Sequence, residues 1–321
     1  MHTHDLYNNM KLSVFVVTYN QEKYIRQCLD SILMQKVDFD YEVVIGEDHG
    51  TDGTRAICEE YATKHPQIRL LPLTENLGVA GNWKRVLLEC KGEYVAMCEG
   101  DDYWIDDNKL QMEADLLDSD KEIGYVFTKN AILTEEGEIV YRDTIFEQVP
   151  AKMDLHMLTK LWLPSHTQTI CFRRNLLPEP YPEEMETSDY VCDIYLKYLV
   201  ASKCKIGFIN KTTAVYRLGG VTGKQRDIES YAKRRRSDLA KLDKLTNHDY
   251  SYFLINYWAA HEYEQMTTFF LAAGNKLKAT KYFVLKILYD IIYNPPILGA
   301  NIRLNFIKHY FKNMMSFKNR N

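Results

Sequence analysis

Short apolar runs alternate with amphipathic helical patterns along the first part of the chain. The runs Leu12–Val17 and Tyr94–Cys98 contain β-branched and aromatic residues without a polar break, as expected for strands that are buried on both faces of a sheet. Residues 42–46 and 68–71 predict two further strands. Strands that alternate with helices at this spacing predict an α/β fold with a doubly wound, mostly parallel sheet.

Apolar residues at intervals of three and four predict the helices that connect these strands. They are Ile25, Cys28, Leu29, Ile32 and Leu33 after the first strand, and Val79, Trp83, Val86 and Leu87 after the third. The segment Thr51-Asp52-Gly53-Thr54 opens another helix after the second strand. The carboxyl ends of the parallel strands are therefore expected to meet at one crevice.

The pattern changes at Gly124, where the segments become shorter. Residues 124–127, 131–141 and 167–174 predict strands of an antiparallel annex, a helix is expected at about 189–201, and residues 205–209 begin a last strand. Past Gly223 the sequence predicts only helices. We therefore expect residues 1–223 to form the first domain and residues 224–321 a helical C-terminal region.

Three acidic residues follow the strand Tyr94–Cys98 directly. Glu99, Asp101 and Asp102 surround the flexible Gly100, at the edge of the sheet where open α/β folds bind their ligands. Carboxylates that repel one another are suitable ligands for Mg²⁺ or Mn²⁺, and such an ion would also hold a diphosphate. The same residues could instead form a solvated acidic turn before a helix, because Asp is favoured at helix N-caps.

Composition argues against several other classes of protein. The net charge of −4 and the pI near 6.2 do not favour general nucleic-acid binding. The seven cysteines have no regular spacing and no Cys-x-x-Cys pair, which is typical of reduced thiols in a cytoplasmic protein. The sequence has neither the glycine-rich dinucleotide motif nor the phosphate-binding loop, so a bound diphosphate needs another partner.

Several short motifs agree in order and spacing with a known family. They are Val-Val-Thr-Tyr-Asn (16–20), Glu-Asp-His-Gly-Thr-Asp-Gly-Thr (47–54), Asn-Leu-Gly (76–78), Glu-Gly-Asp-Asp-Tyr-Trp (99–104), Phe-Arg-Arg (172–174) and Val-Tyr-Arg (215–217). Over about residues 12–220 the chain resembles the inverting glycosyltransferases of family 2, which have the GT-A fold and act in bacterial polysaccharide biosynthesis. The resemblance implies a nucleotide-diphosphate sugar donor, with UDP as the expected nucleotide, a divalent metal, and a hydroxyl of a glycan or lipid-linked acceptor.

The resemblance also implies roles for individual residues. The nucleotide pocket would contain Thr18, Tyr19, Asn20, Glu22, Asp48, Asn76, Gly78, Glu99 and Gly100, with Asp48 at the base and Asp52 supporting its turn. Asp101 matches the metal-binding acid, and Asp102 is expected to be an auxiliary ligand or a helix N-cap. Glu99 matches the first acid of the metal motif but replaces the usual Asp. Its longer side chain is expected at the metal, or at a ribose hydroxyl or a water.

An inverting transfer needs a general base on the acceptor side. The family has an Asp there, and the spacing to the last strand matches Asp193, with Asp189 as the alternative on the same helix face. Either one could also be an ordinary helix carboxylate. The family often has a His shortly after Tyr-Arg, whereas this chain has Leu218. Arg217 is therefore expected to help stabilise the leaving diphosphate, or else to form a structural ion pair.

The last part of the chain is basic and amphipathic. From residue 276 onwards, lysines and arginines are interleaved with aromatic and aliphatic residues, a pattern that is compatible with peripheral contact with an anionic membrane. The alternative is packing on the catalytic domain or on a second subunit of a homo-oligomer. We expect a cytoplasmic location, because the N-terminus lacks a signal-peptide pattern and no apolar stretch reaches the roughly 18 residues of a membrane span.

Two other functions are compatible with parts of this pattern. A nucleotidyltransferase would use a similar sheet, but such enzymes usually have a glycine-rich loop with a basic residue where this chain has Thr18-Tyr19-Asn20-Gln21-Glu22. A non-catalytic glycan-binding or scaffold protein would not need the acids, yet Asp48, Glu99, Asp101, Asp102 and Asp193 are all present. The sequence therefore favours a glycosyltransferase.

Overall fold

The structure is a computed structural model that describes residues 10–72, 75–141, 143–160, 165–183, 192–219, 228–245, 263, 266–271 and 273–293. The chain divides into two units, Met1–Gln225 and Arg226–Asn321. The domain boundary predicted after residue 223 and the basic segment after residue 293 lie outside the described residues.

The four predicted strands form one half of a sheet of ten described strands. β1 (Leu12–Thr18) lies between β2 (Tyr41–Glu47) and β4 (Tyr94–Met97), and β3 (Ile68–Leu70) pairs with β2, all in parallel. Every residue of β1 and β4 is buried, which explains why these segments are apolar without alternation. The predicted parallel, doubly wound sheet is confirmed in this half.

Three helices connect these strands: α1 (Ile25–Leu33), α2 (Thr54–Lys64) and α3 (Gly78–Glu89). In α1, the predicted residues Ile25, Cys28, Leu29 and Ile32 are buried. In α3, Trp83, Val86 and Leu87 are buried, whereas Val79 is 46% exposed. Val79 lies in the first turn of α3 and lines a pocket instead of the core.

The other half of the sheet mixes both strand directions. Its elements are β5 (Tyr103–Trp104), α4 (Lys109–Ser119), β6 (Ile123–Leu133), β7 (Ile139–Tyr141), β8 (Lys152–Met153), α5 (Leu155–Lys160), β9 (Ile170–Arg173), α6 (Cys192–Ala201) and β10 (Lys205–Arg217). The strand order is β3-β2-β1-β4-β9-β6-β10-β5, with β7 on β6 and β8 on β10. β9 is antiparallel to β4 and β6, whereas β10 is parallel to β6. The antiparallel annex is confirmed, and it contains one parallel pair.

Two segments of this half differ from the sequence prediction. β6 is continuous, although the sequence predicts a break between residues 127 and 131, because the polar side chain of Thr128 is paired inside the sheet. Its hydroxyl lies 2.7 Å from the hydroxyl of Thr213 on β10. The strand predicted from residue 167 begins as a 3₁₀ helix, Thr167–Thr169, in which the Thr169 hydroxyl donates to the His166 carbonyl oxygen over 2.7 Å.

The second unit consists of helices in its described part. They are α7 (Ile228–Leu245), residues 266–271 and α8 (Lys276–Tyr293). These segments enclose a small core of aromatic and aliphatic side chains. Lys278 on α8 donates to Glu229 on α7 over 2.6 Å. Among the described helices, none is both long and apolar enough to cross a membrane.

Candidate active site at the carboxyl edge of the sheet

A pocket of about 280 Å³ lies at the carboxyl ends of three parallel strands. Thr18 ends β1, Asp48 follows β2 and Glu99 follows β4, and all three line the pocket. The other lining residues are Val17, Tyr19, Gln21, Asn76, Gly78, Val79, Asn82, Trp83, Asp101 and Tyr216. The crevice expected from the strand order is therefore present in the structure.

One side of the pocket is built around Asp48. This residue is 4% exposed, and its Oδ1 accepts the N–H of Leu77 over 2.8 Å. The side-chain amide of Asn76 donates to the Asp48 carbonyl oxygen over 2.6 Å. Gly78 then begins α3 with a φ of +72°, a conformation that favours glycine. Burial raises the pKa of Asp48 above its ordinary value, although the N–H of Leu77 opposes the shift.

Asn20 and Glu22, which the resemblance implies for the pocket, do not line it but join two loops beside it. Asn20 Oδ1 accepts the N–H of Thr51 over 2.7 Å, and Glu22 Oε2 accepts the N–H of Gly53 over 3.0 Å. Asp52 accepts the N–H of Glu22 over 3.1 Å, so it supports the turn as expected. The two acids lie near the first turn of α2, where backbone N–H groups favour negative charge.

Gly100 is required by packing and is not among the pocket-lining residues. A Cβ at this position would lie 2.4 Å from Gln21 Oε1 and 2.7 Å from Thr18 Oγ1. These two side chains are themselves joined by a hydrogen bond of 2.7 Å. Glycine therefore lets the acidic turn pack against the loop that follows β1.

The acids after β4 differ in exposure and in contacts. Glu99 and Asp101 line the pocket, whereas Asp102 is 2% exposed and its Oδ1 accepts the backbone N–H of Arg217 over 2.8 Å. Burial, and then the charge of Asp101, raise the pKa of both Glu99 and Asp102 well above their ordinary values. The N-cap alternative for Asp102 is wrong, because β5 follows it and α4 begins only at Lys109.

The charge of these acids fits a divalent cation. Asp102 Oδ2 is buried and has no hydrogen-bond partner in the described part of the chain. No group of three His, Cys, Asp or Glu side chains among the described residues is arranged to hold a metal alone. An ion such as Mg²⁺ needs only one or two carboxylates when substrate phosphates and waters complete its shell. Asp101 and Glu99, which both line the pocket, meet that need, whereas the buried Asp102 contributes charge.

Asp193 lies in the first turn of α6 and is partly exposed. Its charge contributes to the raised pKa of Glu99, after burial and the charges of Asp101 and Asp102. Asp193 therefore belongs to the same group of carboxylates. Its rival Asp189 lies outside the described residues, so the choice between them stays a prediction.

Arg217 holds the loop that contains Asp101, and it is not among the residues that line the pocket. Its Nε donates to the Asp101 carbonyl oxygen over 2.9 Å, and a terminal nitrogen donates to Gln27 Oε1 over 2.7 Å. Its guanidinium carbon lies 4.5 Å from the centroid of the Tyr24 ring. Neighbouring residues of a strand point to opposite faces, and it is Tyr216 that lines the pocket. The role of Arg217 at the leaving diphosphate stays a prediction.

Sequence reasoning did not identify Gln21, Asn82 or Tyr216 as site residues, although all three line the pocket. Asn82 is 3% exposed and donates to the Gly46 carbonyl oxygen over 2.7 Å. A polar residue on the apolar face of α3 was the signal that could have identified it. The hydrogen bond between Thr167 and Glu99, which favours the charged carboxylate, joins distant segments and left no sequence signal.

Two solved structures have similar folds. S. aureus TarS 1–349 in complex with UDP-GlcNAc has a TM-score of 0.57 and 20% identity, and the match covers 85% of this chain and 89% of that chain. A mannosyltransferase from Pyrobaculum calidifontis in complex with GDP-Man and Mn²⁺ has a TM-score of 0.53 and 19% identity, over 95% of this chain and 87% of that chain. At these identities the likeness concerns the fold, and it agrees with the predicted GT-A architecture.

Sequence comparisons point to the same family. An uncharacterised protein of Mycobacterium tuberculosis is 34% identical over 210 residues, which is 64% of this chain and 58% of that protein. The match thus spans less than two thirds of the relative's length. The sequence profile described as Glycosyl transferase family 2 matches residues 13–179, which include the acids after β4 and most of the residues that line the pocket. This chain belongs to glycosyl transferase family 2.

Proposed function

We propose that this chain is a metal-dependent, inverting glycosyltransferase. It transfers a sugar from a nucleotide-diphosphate sugar, with a UDP-sugar as the expected donor, to a hydroxyl of a glycan or lipid-linked acceptor. The observation that carries the proposal is the meeting of Asp48, Glu99 and Asp101 in one pocket, with Asp193 within electrostatic range of Glu99. The UDP-GlcNAc and GDP-Man of the two similar structures support a nucleotide-sugar donor.

The Asp48 side of the pocket suits the nucleoside. Its buried carboxylate is held by the loop before α3, and Val79 and Trp83 supply apolar surface in the same pocket. Ligand sites commonly combine such surface with a few placed polar groups. A carboxylate beside apolar surface can accept the ring N–H of a base such as uracil or guanine. UDP remains the expected nucleotide because of the family resemblance.

A divalent metal, Mg²⁺ or Mn²⁺, is part of the proposal. Asp101, together with Glu99, would hold it against the donor diphosphate, and the bound ion would stabilise the charge of the leaving group. The raised pKa values of Glu99 and Asp102 and the unpaired Asp102 Oδ2 support an added positive charge here. Arg217 keeps the Asp101 loop in place through the Asp101 carbonyl oxygen.

Asp193 is the proposed general base. A neutral hydroxyl is a poor nucleophile, so it must lose its proton while it attacks the anomeric carbon from the side opposite the diphosphate. The partial exposure of Asp193 and its proximity to Glu99 support this role. Lys197 lies one turn further along α6. Burial lowers the pKa of Lys197, and the charge of Asp193 opposes this shift.

A thermal-shift panel tests the proposal. A ligand that binds only the folded chain raises the midpoint of thermal unfolding. We expect at least one of UDP-glucose, UDP-GlcNAc and GDP-mannose to raise it in the presence of Mn²⁺, and excess EDTA to abolish most of the shift. The absence of any shift with nucleotide sugars, combined with a shift caused by free glycans, would instead favour a glycan-binding protein.

We further propose that the second unit contacts an anionic membrane. On α8, Leu277 is 85% exposed and Val284 is 48% exposed, and Lys276 and Lys281 on the same helix are exposed. Exposed apolar side chains next to positive charges are typical of helices that lie in a membrane interface. A homo-oligomer would instead bury this surface against a second copy of the chain.

A further inference from the structure

Tyr216, which lines the pocket, is stacked on a second ring, that of His166. The imidazole of His166 and the phenol of Tyr216 have centroids 5.0 Å apart and planes inclined by 18°. Tyr216 lines the pocket and belongs to β10, whereas His166 precedes the 3₁₀ helix Thr167–Thr169. Thr167 also forms the hydrogen bond with Glu99. The same turn therefore supports both the stacked rings and one of the acids.

Tyr216 is within electrostatic range of all four carboxylates of the site. Burial, and then the charges of Asp102, Glu99, Asp101 and Asp193, raise its pKa. The hydroxyl is consequently protonated at neutral pH and can donate a hydrogen bond. Tyr216 shares the pocket with Glu99 and Asp101, the acids proposed for the diphosphate, and it is within electrostatic range of the proposed base Asp193. In the proposed reaction the donor sugar lies between these groups.

The Tyr216 hydroxyl has no hydrogen-bond partner among the residues that the structure describes. Other tyrosines of the same sheet do have such partners: the Tyr94 hydroxyl donates to Asp118 over 2.7 Å, and the Tyr125 hydroxyl donates to Ser165 over 3.3 Å. A tyrosine hydroxyl usually finds a partner when the ring is buried. In a pocket-lining tyrosine, an unused donor is available to a ligand.

We propose that Tyr216, supported by His166, binds the sugar ring of the donor. This inference rests on the proposed function and names the residue that contacts the transferred sugar. A pyranose presents C–H groups on its faces and hydroxyls around its rim. The phenol ring packs against the C–H groups, while the Tyr216 hydroxyl forms a hydrogen bond with one rim hydroxyl, so Tyr216 contributes to the choice of donor sugar.

The test compares the nucleotide sugar with the nucleotide alone. Calorimetry in Mn²⁺ measures the binding of UDP-GlcNAc, or of the nucleotide sugar with the largest thermal shift in the panel. The free nucleoside diphosphate of the same ligand is titrated in the same way. We expect Tyr216→Phe to bind the nucleotide sugar about five-fold more weakly, since one neutral hydrogen bond is lost. Tyr216→Ala should bind it about 30-fold more weakly, since ring contacts are lost as well. His166→Ala should fall between wild type and Tyr216→Ala.

Affinity for the free nucleoside diphosphate should stay within about two-fold of wild type in these variants, because hydrogen bonds to the sugar are absent from that ligand. Tyr141→Ala is the matched control, because Tyr141 is 56% exposed on β7 and does not line the pocket. It should bind both ligands like wild type.

Three outcomes would overturn the inference. Wild-type affinity of Tyr216→Phe and Tyr216→Ala for the nucleotide sugar would exclude contact with the sugar while the proposed function stands. Equal losses for the nucleotide sugar and the free nucleotide would assign Tyr216 a structural role in the pocket. If wild type itself binds neither ligand, the proposed function fails together with the inference.

Discussion

Glu99, Asp101 and Asp102 are the residues on which the chemistry of the site depends most. Burial, and the charge of Asp101, raise the pKa of Glu99 and Asp102, which means that their charged forms are costly in the free protein. Raised pKa values in a pocket are typical of functional sites. A bound cation would favour the charged forms and reverse these shifts. Metal binding is therefore the property by which single acids can be tested.

Asp101→Asn removes the charge at the proposed metal position while keeping the size of the side chain. We expect it to abolish transfer and the Mn²⁺-dependent part of donor binding, with little change in thermal stability. Asp107→Asn is the matched control, because Asp107 lies in the same connection but pairs with Lys36 over 2.5 Å at the surface. Titration of the donor with and without Mn²⁺ measures both effects. Full transfer activity of the wild type in excess EDTA would contradict the metal hypothesis.

Asp193→Asn keeps the shape of the proposed base but cannot accept the proton of the acceptor hydroxyl. Loss of a positioned base typically lowers turnover by about 10² to 10⁴. We therefore expect kcat to fall in this range while donor affinity and metal dependence persist. Asp189→Asn, assayed with the same donor and acceptor, should be mild by comparison. A severe loss at Asp189 with near-normal turnover at Asp193 would reverse the assignment.

The sequence allowed the acids to be predicted but not every role around them. Glu99, Asp101 and Asp48 follow buried strands directly, so strand direction alone brought them to one edge. The roles of Arg217 and Tyr216 depend on which face of β10 each residue occupies, and β10 contains irregularities that shift this register. Such a shift has no clear sequence signal, so the sequence alone does not tell which of the two residues faces the pocket.

At the scale of elements, continuous apolar runs predicted the strands reliably. Polar residues inside strands led to wrong predictions of where a strand ends or begins. β1 and β4 are fully buried and were predicted within one residue of their ends. The break expected within β6 is absent because Thr128 finds its partner on β10, far away in the sequence. The turn at residues 167–169 forms because the Thr169 hydroxyl bonds locally to His166, which competes with strand pairing.

A buried ion pair within α4 supports the turn that carries Thr167. Lys109 and Glu113 are one helical turn apart, both fully buried, with 2.6 Å between Nζ and Oε1. Lys109 Nζ lies 4.6 Å from the centroid of the Trp104 ring, and Trp104 Nε1 donates to the Gln168 carbonyl oxygen over 2.9 Å. The ion pair is therefore linked, through Trp104, to the 3₁₀ helix beside Glu99.

Removing one member of this pair should cost far more than removing both. Glu113→Leu leaves Lys109 buried without its partner, and we expect a loss of roughly 3–5 kcal/mol in the free energy of unfolding. The double variant Lys109→Met, Glu113→Leu should recover most of this loss, since an apolar pair of similar size needs no desolvation of charge. Urea unfolding measures both variants. Glu60→Leu on α2 is the control. Glu60 pairs with Arg26 and Lys64 at the surface, where ion pairs contribute little, so this variant should change stability little. A Glu113→Leu protein as stable as wild type would contradict the argument.

At the scale of the whole molecule, the chain joins two units with different chemistry. The first unit contains the sheet, the pocket and all acids of the site, and the family profile matches within it. The second unit has a small core of its own and exposed lysines on α8. A glycosyltransferase with a lipid-linked acceptor would benefit from a surface that brings the site to a membrane. This makes the second unit the place to test membrane contact.

Lys276→Gln combined with Lys281→Gln, in the full chain, removes two exposed charges from α8. If α8 lies on an anionic surface, each lysine contributes about 1 kcal/mol to binding, and we expect the double variant to partition onto phosphatidylserine-containing liposomes about 30-fold more weakly than wild type. The control, Lys36→Gln with Lys121→Gln, removes the same net charge from side chains of the first unit that are each 74% exposed. Raising the salt concentration should weaken wild-type binding, because surface charges are screened over about 10 Å at 0.1 M.

Cosedimentation with liposomes measures the wild type at low and high salt, the double variant and the control. Equal partitioning of both variants and wild type would leave packing within the chain or a homo-oligomer as the alternatives. Sedimentation equilibrium of the wild type separates these two, because a homo-oligomer has a mass above that of the monomer.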